Sequence, residues 1–136
     1  MKSSARCATD ERGAVAVEFA LGAVLMLTIL FAVIAFGSMY SRIEVFQSAA
    51  REGARTAAVG GDVGEVTEAV NDAVDPYTIA PGSTISVSVG GVPGSCDDDV
   101  GEAVTVSWSQ TFDLDLVFLE FTTPTQTFKG VFRCEA

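Results

Sequence analysis

Residues 12–40 read RGAVAVEFALGAVLMLTILFAVIAFGSMY, and the rest of the chain is organised around them. From Phe19 to Tyr40 there are 22 positions without a charged residue. At ~1.5 Å per residue a helix of that length covers about 33 Å, enough for a bilayer core of about 30 Å. A secretory h-region is shorter, roughly 7–15 residues, and has a small-residue cleavage site behind it. No such site follows cleanly here. A buried core helix fits poorly, because no remaining segment could surround a helix apolar on all sides. A transmembrane helix is therefore expected over residues 15–40.

Composition points the same way. The chain has 136 residues, room for one small domain plus an anchor. Its hydrophobic fraction is 49% and its mean hydropathy +0.38, with much of the excess in that one block. The net charge of −10 is unevenly placed: from Val59 onward thirteen acidic residues face two basic ones, Lys129 and Arg133. That half lacks the basic footprint a nucleic-acid partner requires. Without histidine, the commonest general base and metal ligand is missing. No nucleophile elbow, HExxH or phosphate loop is present, so no catalytic residue, cofactor or metal site is assigned.

Residues 1–13, MKSSARCATDERG, are polar and show no apolar periodicity. Lys2, Arg6 and Arg12 favour retention of this end on the cytoplasmic side, which sends the chain beyond the span outside. Glu18 stands at the entry of the block. A carboxylate at a bilayer centre costs about 2.5–3.5 kcal/mol on insertion scales, and less at the edge. It either snorkels to the interface and favours the helix N-terminus, or meets a partner. Of the three cysteines, Cys7 lies in the leader, leaving Cys96 and Cys134 as a pair. An exported domain favours a disulfide between them over two buried thiols.

Arg12 and Gly13, followed by Ala14, Val15, Ala16, Val17, Glu18 and Phe19, resemble a class III type IV prepilin leader junction. Residues 36–40 (FGSMY) and 49–55 (AAREGAR) resemble the TadE-like family, pseudopilins of the tight-adherence (Tad, Flp, type IVb) pilus. The motifs lie within residues 12–58, and the remainder fits in outline only. The resemblance implies cleavage between Gly13 and Ala14 by a prepilin peptidase. It also implies a registration role for Glu18 and Phe19, with Glu18 meeting the freed Ala14 amine of a neighbour. Pairing relieves two charges that are each unfavourable in a low-dielectric zone. The implied partners are other pilins or pseudopilins, the Tad membrane platform and the lipid bilayer. A TadF-like relative fits the same motifs.

The span is expected to continue as one helix over residues 14–60, about 69 Å long. Small residues recur at i, i+4 as Ala49, Gly53, Ala57 and as Ala50, Ala54, Ala58. Such stripes admit the close approach of another helix or a sheet, or simply reflect alanine's helix propensity. Gly60 and Gly61 form a stop. Asp62 and Glu65 have the spacing of a capping box, and Val63, Val66, Val70 and Val74 form an apolar stripe ending before Pro76. Residues 84–89 alternate as a strand, residues 90–101 read as a loop, and residues 102–110 and 125–133 are further strands. The run Asp97, Asp98, Asp99 reads as a solvated loop, since it lacks a calcium-loop ligand pattern. Residues 111–123 fit a strand or a helical turn equally, as core or as an exposed subunit contact.

The expected fold class is thus α+β: a long helix, a short helix and an antiparallel sheet of about three strands. Residues 1–13 form a leader, 14–60 the helix and 61–136 an extracytoplasmic domain. The chain is expected in the cytoplasmic membrane as a single-pass pilus-assembly component. A membrane-anchored binding or adhesion module that keeps residues 1–13 is the alternative.

Overall fold

The computed structural model describes residues 10–96, 101–116 and 119–135. Helix α1 runs unbroken through Asp10–Ala58, 49 residues or about 73 Å. It ends in a Schellman turn: the Gly60 N–H reaches the Ala57 carbonyl at 3.3 Å and the Gly61 N–H the Thr56 carbonyl at 3.1 Å. Helix α2, Val63–Val74, starts at once. Asp62 accepts from the Glu65 N–H at 2.8 Å, and the Glu65 carboxylate accepts from the Asp62 N–H at 3.2 Å. This capping box fixes the chain reversal that lays α2 beside α1. Val66, Val70 and Val74 are buried, while Val63, at the mouth of the turn, stays half exposed.

Among the described residues six strands follow: β1 (Ser86–Val89), β2 (Val92–Pro93), β3 (Ala103–Gln110), β4 (Asp113–Leu116), β5 (Leu119–Thr122) and β6 (Gln126–Arg133). Four make an antiparallel sheet in the order β2-β1-β3-β6. Strand β3 is central, with Val106 opposite Val87 on one side and Gly130 on the other. Strands β4 and β5 form a separate hairpin, with Asp113 opposite Thr122. Alternation sends Val104, Val106, Trp108 and Gln110 inward, while Ser109 and Thr127 share a 2.8 Å hydroxyl bond on the outer face.

The α+β class therefore holds, with more strand than the sequence reading expected. The segment 90–101 is not all loop. Gly90 and Gly91, both at positive φ, turn the chain tightly enough for β2 to pair back on β1. Residues 113–116 and 119–122 are a hairpin and not a helical turn, so the period-2 pattern prevails over the helical one. Val117 and Phe118, within that segment, lie outside the described residues, as does the Asp97–Asp99 run.

The inner face of the sheet packs on the C-terminal part of α1, with α2 alongside. Phe46 is the hub and is only 2% exposed. Its ring lies 5.4 Å from Phe128, 5.5 Å from Phe112, 6.3 Å from Tyr77 and 6.4 Å from Trp108, within the range of favourable aromatic pairs. This one residue joins α1 to β3, β6 and the segments after α2 and β3.

Candidate functional site: the two halves of the long helix

The first half of α1 presents only solvent-facing or lipid-facing side chains. Val15, Val17, Phe19, Leu21 and Leu25 are exposed, and the run of large exposed apolar residues continues to Tyr40. None of its most apolar 18-residue window is buried against the protein. A soluble domain does not leave so continuous an apolar surface in water. Length, hydropathy and full exposure together describe a helix compatible with a single membrane pass.

The residues singled out at its start lie on this exposed helix. Gly13 and Ala14 sit within regular α-helix, and space around the Gly13 Cα is open. Glu18 is one turn beyond Ala14 on the same side and makes no ion pair among the described residues. Phe19, next to it, is 77% exposed. The structure thus brings Ala14 and Glu18 together by helical spacing alone and gives neither a tertiary contact.

The second half is built differently. Ala49, Ala50, Ala54, Ala57 and Ala58 are buried, as is Gly53. Both small-residue stripes are occupied by the chain's own elements. A Cβ on Gly53 would overlap the side chain of Val70 on α2 and sit 3.4 Å from Val106 on β3. The sheet replies in kind: a Cβ on Gly130 of β6 would collide with the Ala50 carbonyl and lie 2.9 Å from the Arg51 nitrogen. Helix and strand backbones therefore meet with no side chain between them. The Gln47 amide donates to the Lys129 carbonyl at 2.9 Å beside this crossing. Gly130 was not singled out from sequence. Its signal was a lone glycine inside an alternating strand, which marks close backbone approach.

Charges on this half face outward. Arg55 and Glu52 approach to 3.7 Å on the surface, an exposed pair worth about 0.2–1 kcal/mol. Arg42, where the apolar run gives way to the domain, lies 5.4 Å over the Tyr77 ring.

The C-terminus is tied to the top of the same helix. Cys96 and Cys134 are joined by a disulfide, with Cα atoms 5.5 Å apart. The Cys134 N–H donates to the Glu102 carbonyl at 2.9 Å, and the Glu135 N–H donates to the Ala58 carbonyl at 2.8 Å. The last bond also satisfies an orphan carbonyl of the α1 terminus.

No curated protein and no solved structure matches this chain. A family model described as TadE-like protein matches residues 13–55. The match begins at the glycine before Ala14 and ends inside the helix half that supports the domain. Over Gly13 to Arg55, about a third of its length, the chain is similar to the TadE-like protein family.

Proposed function

We propose that the chain is a structural and assembly component of a Tad (Flp, type IVb) pilus, a TadE-like pseudopilin that supports pilus biogenesis and adhesion. The observation that carries this reading is the position of the family match. It falls on one continuous helix whose first half is an exposed apolar rod and whose second half is the stem of a folded domain. The family is a structural and not a catalytic kind of protein. A stem-and-rod architecture suits it: the rod lies in lipid or among other helices, and the domain is held at a fixed distance from it.

In this proposal the N-terminus is cytoplasmic, the span lies in the cytoplasmic membrane and the domain is extracytoplasmic, as Lys2, Arg6 and Arg12 favour. A prepilin peptidase cuts after Gly13. The Ala14 amine then meets Glu18 of a neighbouring pilin or pseudopilin, which neutralises two charges at the membrane edge and sets the axial register. The domain surface carries the outward contacts.

N-terminal sequencing of the membrane-purified protein tests this directly. A mature chain starting at Ala14 is expected. Retention of residues 1–13 overturns the pseudopilin reading in favour of an uncleaved anchored binding module.

A further inference from the structure

Arg42 lies two residues past Tyr40, the last large apolar side chain of the exposed run, at the level where a span leaves the hydrocarbon. Beside it the underside of the domain forms an open cleft of about 470 Å³, whose lining includes Arg42, Phe46, Tyr77, Gln110, Phe112 and Asp113. Two opposite charges thus share one cleft, yet neither Arg42 nor Asp113 forms an ion pair among the described residues. Arg42 stacks over Tyr77, and Asp113 accepts from the Thr122 hydroxyl at 3.1 Å.

Gln110 lines the same cleft. It is 6% exposed, the buried polar side chain of the core. Its amide oxygen accepts from the Ala80 N–H at 3.2 Å, which fixes the side chain. The amide NH2 is a second donor group at the cleft. The cleft therefore presents an Arg guanidinium and an amide NH2 as donors, an aromatic wall, and one carboxylate as acceptor.

We propose that this cleft binds the headgroup of a zwitterionic aminophospholipid of the phosphoethanolamine type. The phosphate lies against Arg42 and the Gln110 amide, and the primary ammonium against Asp113. Charge decides between lipid classes. A purely anionic headgroup satisfies Arg42 but meets Asp113, beneath a domain with thirteen acidic residues and two basic ones. A phosphoethanolamine meets both charges with opposite ones. A choline headgroup carries the same charges, but its trimethylammonium has no N–H to donate to the carboxylate. The inference rests on the membrane reading of residues 15–40 and not on cleavage at Gly13.

Native mass spectrometry of the detergent-purified full chain tests it, with dilauroyl phosphatidylethanolamine, phosphatidylglycerol and phosphatidylcholine added in turn. The ethanolamine lipid is expected to show the highest occupancy. R42Q and D113N are each expected to lower it by about fivefold, the scale of one modest charged contact. D113N is expected to leave the glycerol lipid unchanged or raise it. K129Q, on the outer sheet, serves as the neutral control. Both cleft residues are exposed, so an intact Cys96–Cys134 bond and an unchanged unfolding midpoint verify the fold of each variant. Equal occupancy by all three lipids overturns the proposal, as does insensitivity of the ethanolamine lipid to both substitutions. Equally tight, Arg42-dependent binding of free O-phosphoethanolamine overturns the lipid as its source. Failure of the chain to partition into membranes breaks the span reading instead, a separate outcome.

Discussion

The two halves of α1 are one helix with one backbone geometry, but they solve opposite problems. Between Val15 and Tyr40 the helix displays Val, Leu, Ile, Phe and Met outward, and none of its most apolar 18-residue stretch is buried. Between Ile43 and Ala58 it carries Ala and Gly where it meets protein, and the apolar contact comes from its neighbours' valines and aromatics. Large side chains suit a helix surrounded by fluid hydrocarbon, which adapts to any shape. Small ones suit a helix that must let a sheet and a second helix come to backbone distance. Hydrophobicity alone does not separate the halves; side-chain volume does.

Substitutions that exchange the two chemistries should break the domain on one side and leave it untouched on the other. Trp108, the single tryptophan and a core residue, reports unfolding of the full chain in detergent. Gly130→Val should have the largest effect, because its Cβ is placed on the Ala50 carbonyl and backbone cannot move aside as a side chain does. We expect more than about 3 kcal/mol of destabilisation, or no folded domain. A melting curve like that of the unaltered protein would show that helix and strand are not in contact there. Removing the disulfide with Cys96→Ser and Cys134→Ser should cost about 3–4 kcal/mol for a separation of 38 residues, read as a lower denaturation midpoint. Asp62→Ala should cost about 0.5–2 kcal/mol through loss of the α2 cap. Leu25→Ala, 61% exposed on the rod, should shift the same midpoint by less than about 0.5 kcal/mol. A drop of 2 kcal/mol there would mean that the rod packs against the domain.

Much of this contrast was legible in the chain itself. The uncharged run, the double-glycine stop, the Asp62 capping box and the alternation of β1, β3 and β6 are all local patterns, set by a few neighbouring residues. Local sequence did not reveal who fills the small-residue stripes. The spacing of Ala49, Gly53 and Ala57 says only that something can come close. That α2 and β6 of the same chain do so depends on contacts between residues as far apart as Ala50 and Gly130. Strand β2 was missed because two residues carry no periodicity, although the Gly90 and Gly91 pair was a hairpin signal. The cleft at Arg42 was hidden for a similar reason, since its lining comes from α1, the segment after α2 and the β3–β4 junction.

The tie between Glu135 and Ala58 and the Gly130 crossing both fasten the sheet to the C-terminal part of a continuous helix, and the disulfide beside Glu135 holds the last strand to the segment after β2. A machine that draws the rod lengthwise therefore pulls along the helix axis and across the sheet's attachment in shear, engaging many contacts at once. Rotation of the rod about its axis turns the domain through the same angle, because no hinge intervenes in α1. Mechanically the molecule is a handle and a shaft, and torque or traction applied to the rod reaches the domain through one continuous helix.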